Sequence, residues 1–283
     1  MAHFEILLQG HLSNDTISGL LWQWPFESML ELESGVKAYI YEGDLTDEIR
    51  QGLIEMAEQF SLKISFVSIQ DENWNELWEK SFQPVSIDDF CYIRADFHPD
   101  NERMPHRIII NPKMAFGTAH HETTYMMIQT MKNLVFQNKS VFDYGTGTGI
   151  LAILAEQMGA DYVVALDYDK NSTDNTFESI SLNNCEKIEV HLGEIDVIKP
   201  TGPFDIILAN INIIVLREQA NNLAALTIPN GTLLLSGILN TQKDQIIKLY
   251  EGAGFSLQSF KTKGDWTCML FEYLVQPKNS TLK

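Results

Sequence analysis

The sequence predicts an α/β protein in which a mainly parallel sheet, closed by an antiparallel hairpin, follows a smaller α+β block. Three observations predict it. After Ser140, apolar strand-like runs alternate strictly with helical stretches, the pattern of a parallel sheet covered on both faces. Residues 1–70 read instead as strand, helix, strand, strand, helix, strand. The last segment breaks the alternation with two adjacent strands around Gly264-Asp265.

In chain order, His3–Gln9 alternates apolar and polar residues as a half-buried strand does, and Ser13–Trp24 has helical spacing. Met29–Glu33 and Val36–Tyr41 flank Ser34-Gly35 as the arms of a hairpin. Between Asp44 and Phe60, Leu45, Ile49, Leu53, Ile54, Ala57 and Phe60 share one helical face, and Lys63–Ile69 alternates again. This βαββαβ order, ferredoxin-like, buries one face of a four-stranded antiparallel sheet under two helices and leaves the other free to bind. Added stability alone is the alternative role. In residues 71–83, Asn73 can cap a linker helix bearing Trp74, Leu77 and Trp78 until Pro84 ends it; the two tryptophans read as packing residues. Residues 84–283 then form a second domain. Short strand-like pieces come first, followed by strands at Val141–Tyr144, Val163–Asp167, Ile188–His191, Phe204–Ala209 and Thr232–Ser236. Helices start near Gly149, Asn171, Ile211 and Thr241, the hairpin is Phe255–Lys261 with Trp266–Val275, and the PKNSTLK tail is expected to fray.

The chain has 283 residues with 20 Lys+Arg against 38 Asp+Glu, a formal net charge of −18. Such an acid excess repels phosphate backbones, so direct nucleic-acid binding is not expected and a basic protein partner is. Cys91, Cys185 and Cys268 are odd in number and far apart, with no C-x-x-C pair, which indicates neither a disulfide framework nor a zinc site. No leader pattern or membrane-length apolar run appears, and the expected compartment is the cytoplasm.

The chemistry-bearing signal is VFDYGTGTGI, residues 141–150, where an apolar strand ends at Asp143 and enters Gly145-x-Gly147-x-Gly149 at a helix start. Glycines let the backbone turn sharply and approach a nucleotide. Ile150 stands where a dinucleotide fingerprint needs its third glycine, and no G-K-[ST] of a P-loop follows. Asp167 ends the next strand, 22 residues after Gly145, where a carboxylate can accept from both hydroxyls of a ribose; capping the helix near Asn171 is its alternative role. Asn210 ends FDIILAN in the crevice outside the carboxyl edge of the sheet, placed to hold an amine or, equally, to cap a helix. His120-His121-Glu122 does not read as a metal site, because adjacent residues do not share a helical face; helix entry, with Glu122 facing the dipole and Thr123 or Thr124 capping, is the plainer reading.

The glycine loop, the acidic end of the second strand and the terminal hairpin resemble class I S-adenosylmethionine-dependent methyltransferases. NWNELWEKSFQPVSI and NPKMAFGTAHHETT resemble the bacterial methyltransferases that modify the eleventh protein of the large ribosomal subunit, and with the acidic first block the resemblance spans essentially the whole chain. It implies a cofactor, S-adenosylmethionine, in contact with Thr124, Gly145, Gly147, Asp167 and Asn210, and a flap formed by Phe116, Gly117 and Thr118. Ala119 departs from the second glycine usual in that loop. The resemblance implies methylation of lysine ε-amines and the N-terminal α-amine of a basic ribosomal protein held by residues 1–70, with Asn210 positioning the amine and no general base assigned. A methyltransferase acting on small molecules and a non-catalytic nucleotide-binding protein are the alternatives.

Overall fold

The computed structural model describes residues 3–21, 23–32, 35–69, 83–111, 120–199 and 201–274. The linker helix expected around Asn73–Trp78, the loop Phe116–Thr118 with Ala119, and the PKNSTLK tail lie outside the described residues. Two compact units make up the chain, Met1–Lys80 and Ser81–Lys283.

The first unit holds β1 (His3–Gln9), α1 (Asn14–Leu21), β2 (Ser28–Leu32), β3 (Gly35–Tyr41), α2 (Asp47–Gln59) and β4 (Lys63–Ile69). Its four strands pair antiparallel in the order β2-β3-β1-β4. Period-2 alternation puts Ile6, Leu8, Val36, Ala38 and Ile40 on the covered face, where they pack with Ile17 and Leu21 of α1 and Leu53, Met56 and Ala57 of α2. On the opposite face Glu5 accepts from Lys37 Nζ at 2.9 Å and from the Tyr39 hydroxyl at 3.1 Å. Thr46 starts α2 by accepting the Ile49 N–H at 3.3 Å, with Asp47 and Glu48 facing the positive end of the helix dipole.

In the second unit β5 (Val85–Ile87), β6 (Cys91–Arg94) and β7 (His106–Ile109) form a small mixed sheet. The main sheet comprises β8 (Ser140–Tyr144), β9 (Tyr162–Asp167), β10 (Ile188–Leu192), β11 (Phe204–Asn210), β12 (Thr227–Leu239), β13 (Phe255–Lys263) and β14 (Trp266–Tyr273). Its order is β10-β9-β8-β11-β12-β14-β13; the first five strands run parallel and β14 is antiparallel to both its neighbours. The chain order thus reverses beside β8, which opens a crevice at the carboxyl ends of β8 and β11. Helices α3 (Glu122–Met131), α4 (Ile150–Gln157) and α5 (Lys170–Leu182) contribute to the core on one face of this sheet; α6 (Ile213–Ala225) and α7 (Lys243–Gly252) contribute to the core on the other. Residues 150–155 of α4 are all buried, which explains why that helix is apolar on every side.

Among the described residues the expected strands and helices are present with shifted ends. The strand expected at Thr232–Ser236 extends over Thr227–Leu239, and the helices expected near Ile211 and Thr241 begin at Ile213 and Lys243.

Candidate active site

The glycine loop leaves β8 and enters α4 through three left-handed backbone positions: φ is +74° at Gly145, +58° at Gly147 and +80° at Gly149. Gly145 has a second reason to lack a side chain, since a Cβ there would stand 2.2 Å from Ile211 Cγ2. The loop is anchored from beneath. The Gly145 and Thr146 amides both donate to Leu166 O, at 2.8 and 3.0 Å, and the Thr176 hydroxyl donates to Gly147 O at 3.0 Å. The Thr146 hydroxyl donates to Asp143 Oδ2 at 2.7 Å. Burial pushes the Asp143 carboxyl up to about 7, opposed by the Thr146 hydroxyl and the Ala152 amide and reinforced by the charge of Asp167.

Asp167 ends β9 with its carboxylate turned back to this loop. Oδ2 accepts from the Gly147 N–H and Oδ1 from the Asp169 N–H, both at 3.0 Å. The cap of α5 is Asp169, which accepts the Asn171 N–H at 3.0 Å, so the alternative role considered for Asp167 falls to its neighbour. A carboxylate offers about four acceptor positions. Asp167 therefore keeps capacity for a pair of hydroxyls while it holds the loop.

Asn210 closes the crevice from β11. It is not a helix cap: Asn212 fills that place, accepting the Val215 N–H at 3.1 Å. Asn210 Nδ2 donates to Thr124 Oγ1 at 3.1 Å, and Thr124 is 0% exposed. Asn210 Oδ1 is buried without a hydrogen-bond partner. An orphaned carbonyl oxygen is costly unless a ligand donates to it. The main chain beyond Asn210 is pressed against β12, where Gly237 has φ +86° and a Cβ would meet Ile211 O at 2.0 Å.

Thr124, Gly145, Gly147, Asp167 and Asn210 are linked in this crevice by contacts and hydrogen bonds, through Asp167–Gly147 on one side and Gly145–Ile211 and Asn210–Thr124 on the other. Phe116, Gly117 and Thr118 lie outside the described residues. One expectation is corrected. Neither Thr123 nor Thr124 caps α3; His121 does, its Nδ1 accepting the Thr123 N–H at 3.3 Å. A ring nitrogen two atoms out from Cβ can reach the first turn, while both threonines already have helical backbone.

Sequence reasoning assigned no role to Asp143, Thr176 or Gly237. For Gly237 a signal existed, a glycine within an apolar strand, which marks close backbone approach.

A family model described as ribosomal protein L11 methyltransferase (PrmA) matches residues 20–273. The ribosomal protein L11 methyltransferase of Phocaeicola vulgatus is 37% identical over 281 residues, covering 96% of this chain and 99% of the relative. That of Bacteroides thetaiotaomicron is 38% identical over 264 residues, 92% of this chain and 94% of the relative. Among solved structures, a ribosomal protein L11 methylase from Lactobacillus delbrueckii subsp. bulgaricus is similar at TM-score 0.62 and 26% identity, over 68% of this chain and 100% of that one. With a methyl-transfer fold carrying its polar residues at the switch point and relatives aligned almost end to end, the chain belongs to the ribosomal protein L11 methyltransferase family.

Proposed function

We propose that the chain transfers methyl groups from S-adenosylmethionine to the lysine ε-amines and N-terminal α-amine of ribosomal protein L11, in the cytoplasm. The observation that carries this reading is the Asn210 carboxamide: one end is tied to Thr124, and the other is a buried acceptor with no donor. An attacking amine bears N–H groups that can fill it. The family relationship supports the protein substrate, and the first unit supports a basic one, holding 15 Asp+Glu against 4 Lys+Arg in residues 1–80.

The cradle fits the cofactor. Gly145 and Gly147 keep the loop free of side chains, and Asp167 has acceptor capacity for two ribose hydroxyls. When bound, S-adenosylmethionine supplies a methyl group already activated on a sulfonium. The chain's own work is positioning: Thr124 fixes one Asn210 rotamer, Asn210 Oδ1 orients the amine, and desolvation beside that buried oxygen favours the neutral amine over an ammonium whose ordinary pKa is about 10.4. No side chain here needs to act as a general base, because a lysine can lose its proton to water before it is desolvated.

The test is transfer of radiolabelled methyl from S-adenosylmethionine into purified ribosomal protein L11, with small amines and metabolites as parallel acceptors. Label in the protein at lysines and the first residue is the expected result. Label only in small molecules would replace the reading.

A further inference from the structure

His121 combines two contacts that the usual capping residues cannot. Caps are ordinarily Ser, Thr, Asp or Asn, whose short side chains reach the first turn and nothing beyond. The His121 ring accepts the Thr123 N–H at Nδ1 and also lies 2.8 Å from the Thr123 hydroxyl at the same nitrogen. With Nδ1 accepting, the ring proton sits on Nε2. The ring meets the Trp266 indole edge to face, centroids 5.0 Å apart at 64°, and Trp266 is the first residue of β14. His121 thus joins the start of α3 to a strand of the main sheet. One turn on, Thr124 is fully buried and receives Asn210 Nδ2 from another strand of that sheet.

We propose that His121 is a positioning residue for methyl transfer: by fixing the first turn of α3 against β14 it holds the Thr124 hydroxyl where it orients the Asn210 carboxamide toward the amine. The inference rests on the role proposed above for Asn210. It follows from two constraints on one short path. Thr124 can set the Asn210 rotamer only if the first helical turn does not slide along the sheet. A cap alone fixes the turn's hydrogen bonds but not its place, while the ring supplies the place through Trp266. The effect belongs to the transition state, because misplacing a rotamer by a fraction of an ångström leaves ground-state binding largely intact and lowers transfer.

Two variants separate the parts in the full-length protein. His121→Phe keeps an aromatic ring against Trp266 and removes the cap; His121→Asn keeps a capping oxygen and removes the ring. The expected result is a kcat about tenfold lower for His121→Asn, with KM for S-adenosylmethionine and for ribosomal protein L11 within about twofold, and recovery of most of that loss in His121→Phe. A second readout is hydrogen exchange of the Asn210 side-chain amide by NMR: protection is expected to fall in His121→Asn and to persist in His121→Phe. A merely structural role predicts a lower melting temperature with unchanged kcat per folded molecule, and that result overturns the inference. So does parental amide protection in His121→Asn, or a phenylalanine variant as impaired as the asparagine one. Absence of methyl transfer by the parental enzyme would count against the proposed function, while amide exchange would still decide whether His121 holds Asn210.

Discussion

The two units treat polar residues in opposite ways. Among the described residues, every buried polar or charged side chain, from Thr123 to Thr267, lies in the second unit, and the buried side chains of the first unit are all apolar. The first unit instead carries its acids outward: Glu42, Asp44, Glu55 and Glu58 are all exposed. Burying a polar group costs free energy unless its hydrogen bonds are replaced, so such groups persist where they hold geometry that an apolar core could not. The contrast separates a unit that presents its charge outward from one that keeps polar geometry in its interior.

The strongest way to break that contrast is to alter the backbone of the glycine loop. Gly145→Val places a branched side chain at φ +74° and drives it into Ile211, whose neighbour Asn210 is the proposed amine-positioning group. Cofactor binding and methyl transfer are expected to fall below detection, with circular dichroism reporting whether the sheet survives. A folded variant with native affinity would mean that the loop is only a structural turn.

Asp167→Ala should have a smaller effect because the loop keeps its glycines. It removes the acceptor for the Gly147 N–H and the expected partner of the ribose. A hydrogen bond to a charged group contributes about 1.5–3 kcal/mol, so calorimetry should show cofactor binding weakened by about 10- to 150-fold. Native affinity in a folded Asp167→Ala protein would remove the carboxylate from the cofactor site.

Asp143 sharpens the comparison through pH. Its carboxyl is raised from the ordinary 3.8 to about 7 by burial. The native state therefore holds a proton there that the unfolded chain releases between pH ~4 and ~7. This contribution to stability is complete below pH ~4, declines as pH rises to ~7, and is level above. Asp143→Asn stays neutral and can still accept from the Thr146 hydroxyl, so melting temperature measured from pH 5 to 8 should fall less steeply in the variant than in the parent. Parallel curves would show that Asp143 does not titrate in this window. The first unit, with no buried carboxylate among its described residues, offers no comparable group.

How much of this was legible follows the same division. Strand ends carry their signal in sequence, because an apolar run that stops at an acid, an amide or a glycine marks the carboxyl edge; Asp167, Asn210 and the Gly145–Gly149 turn were found that way. Thr124 came only from resemblance, since a threonine in a helical first turn looks like any other. The pairing of Thr124 with Asn210, 86 positions apart, depends on how α3 crosses the sheet, and no local pattern encodes that. His121 was passed over because histidine is an uncommon cap, and its second contact, Trp266, is distant in sequence. The extension of β12 to Thr227 was missed because Thr227 is separated from the apolar run: it pairs with Phe204, the register then shifts, and pairing with β11 resumes only at Thr232, with Asn230 between them at φ +61°.

The smallest expected effect tests the surface of the first unit. If its acids attract a basic ribosomal protein, replacing Glu42 and Glu58 by Gln and Asp44 by Asn should slow association without touching any residue of the crevice. All three are exposed, so removing them costs little stability and leaves the apolar core of that unit unchanged. Screening sets the size and the control. The Debye length is about 10 Å at 0.1 M salt and about 30 Å at 0.01 M, so the variant should bind ribosomal protein L11 about two- to fivefold more slowly at low salt and converge with the parent as salt rises. The value of kcat at saturating substrate should not change, because the chemical groups are in the other unit. Stopped-flow association measured across ionic strength decides the matter: equal rates at 0.01 M salt would mean that the acid excess of residues 1–80 does not steer the substrate, and recognition would then have to rest on the uncharged part of that surface.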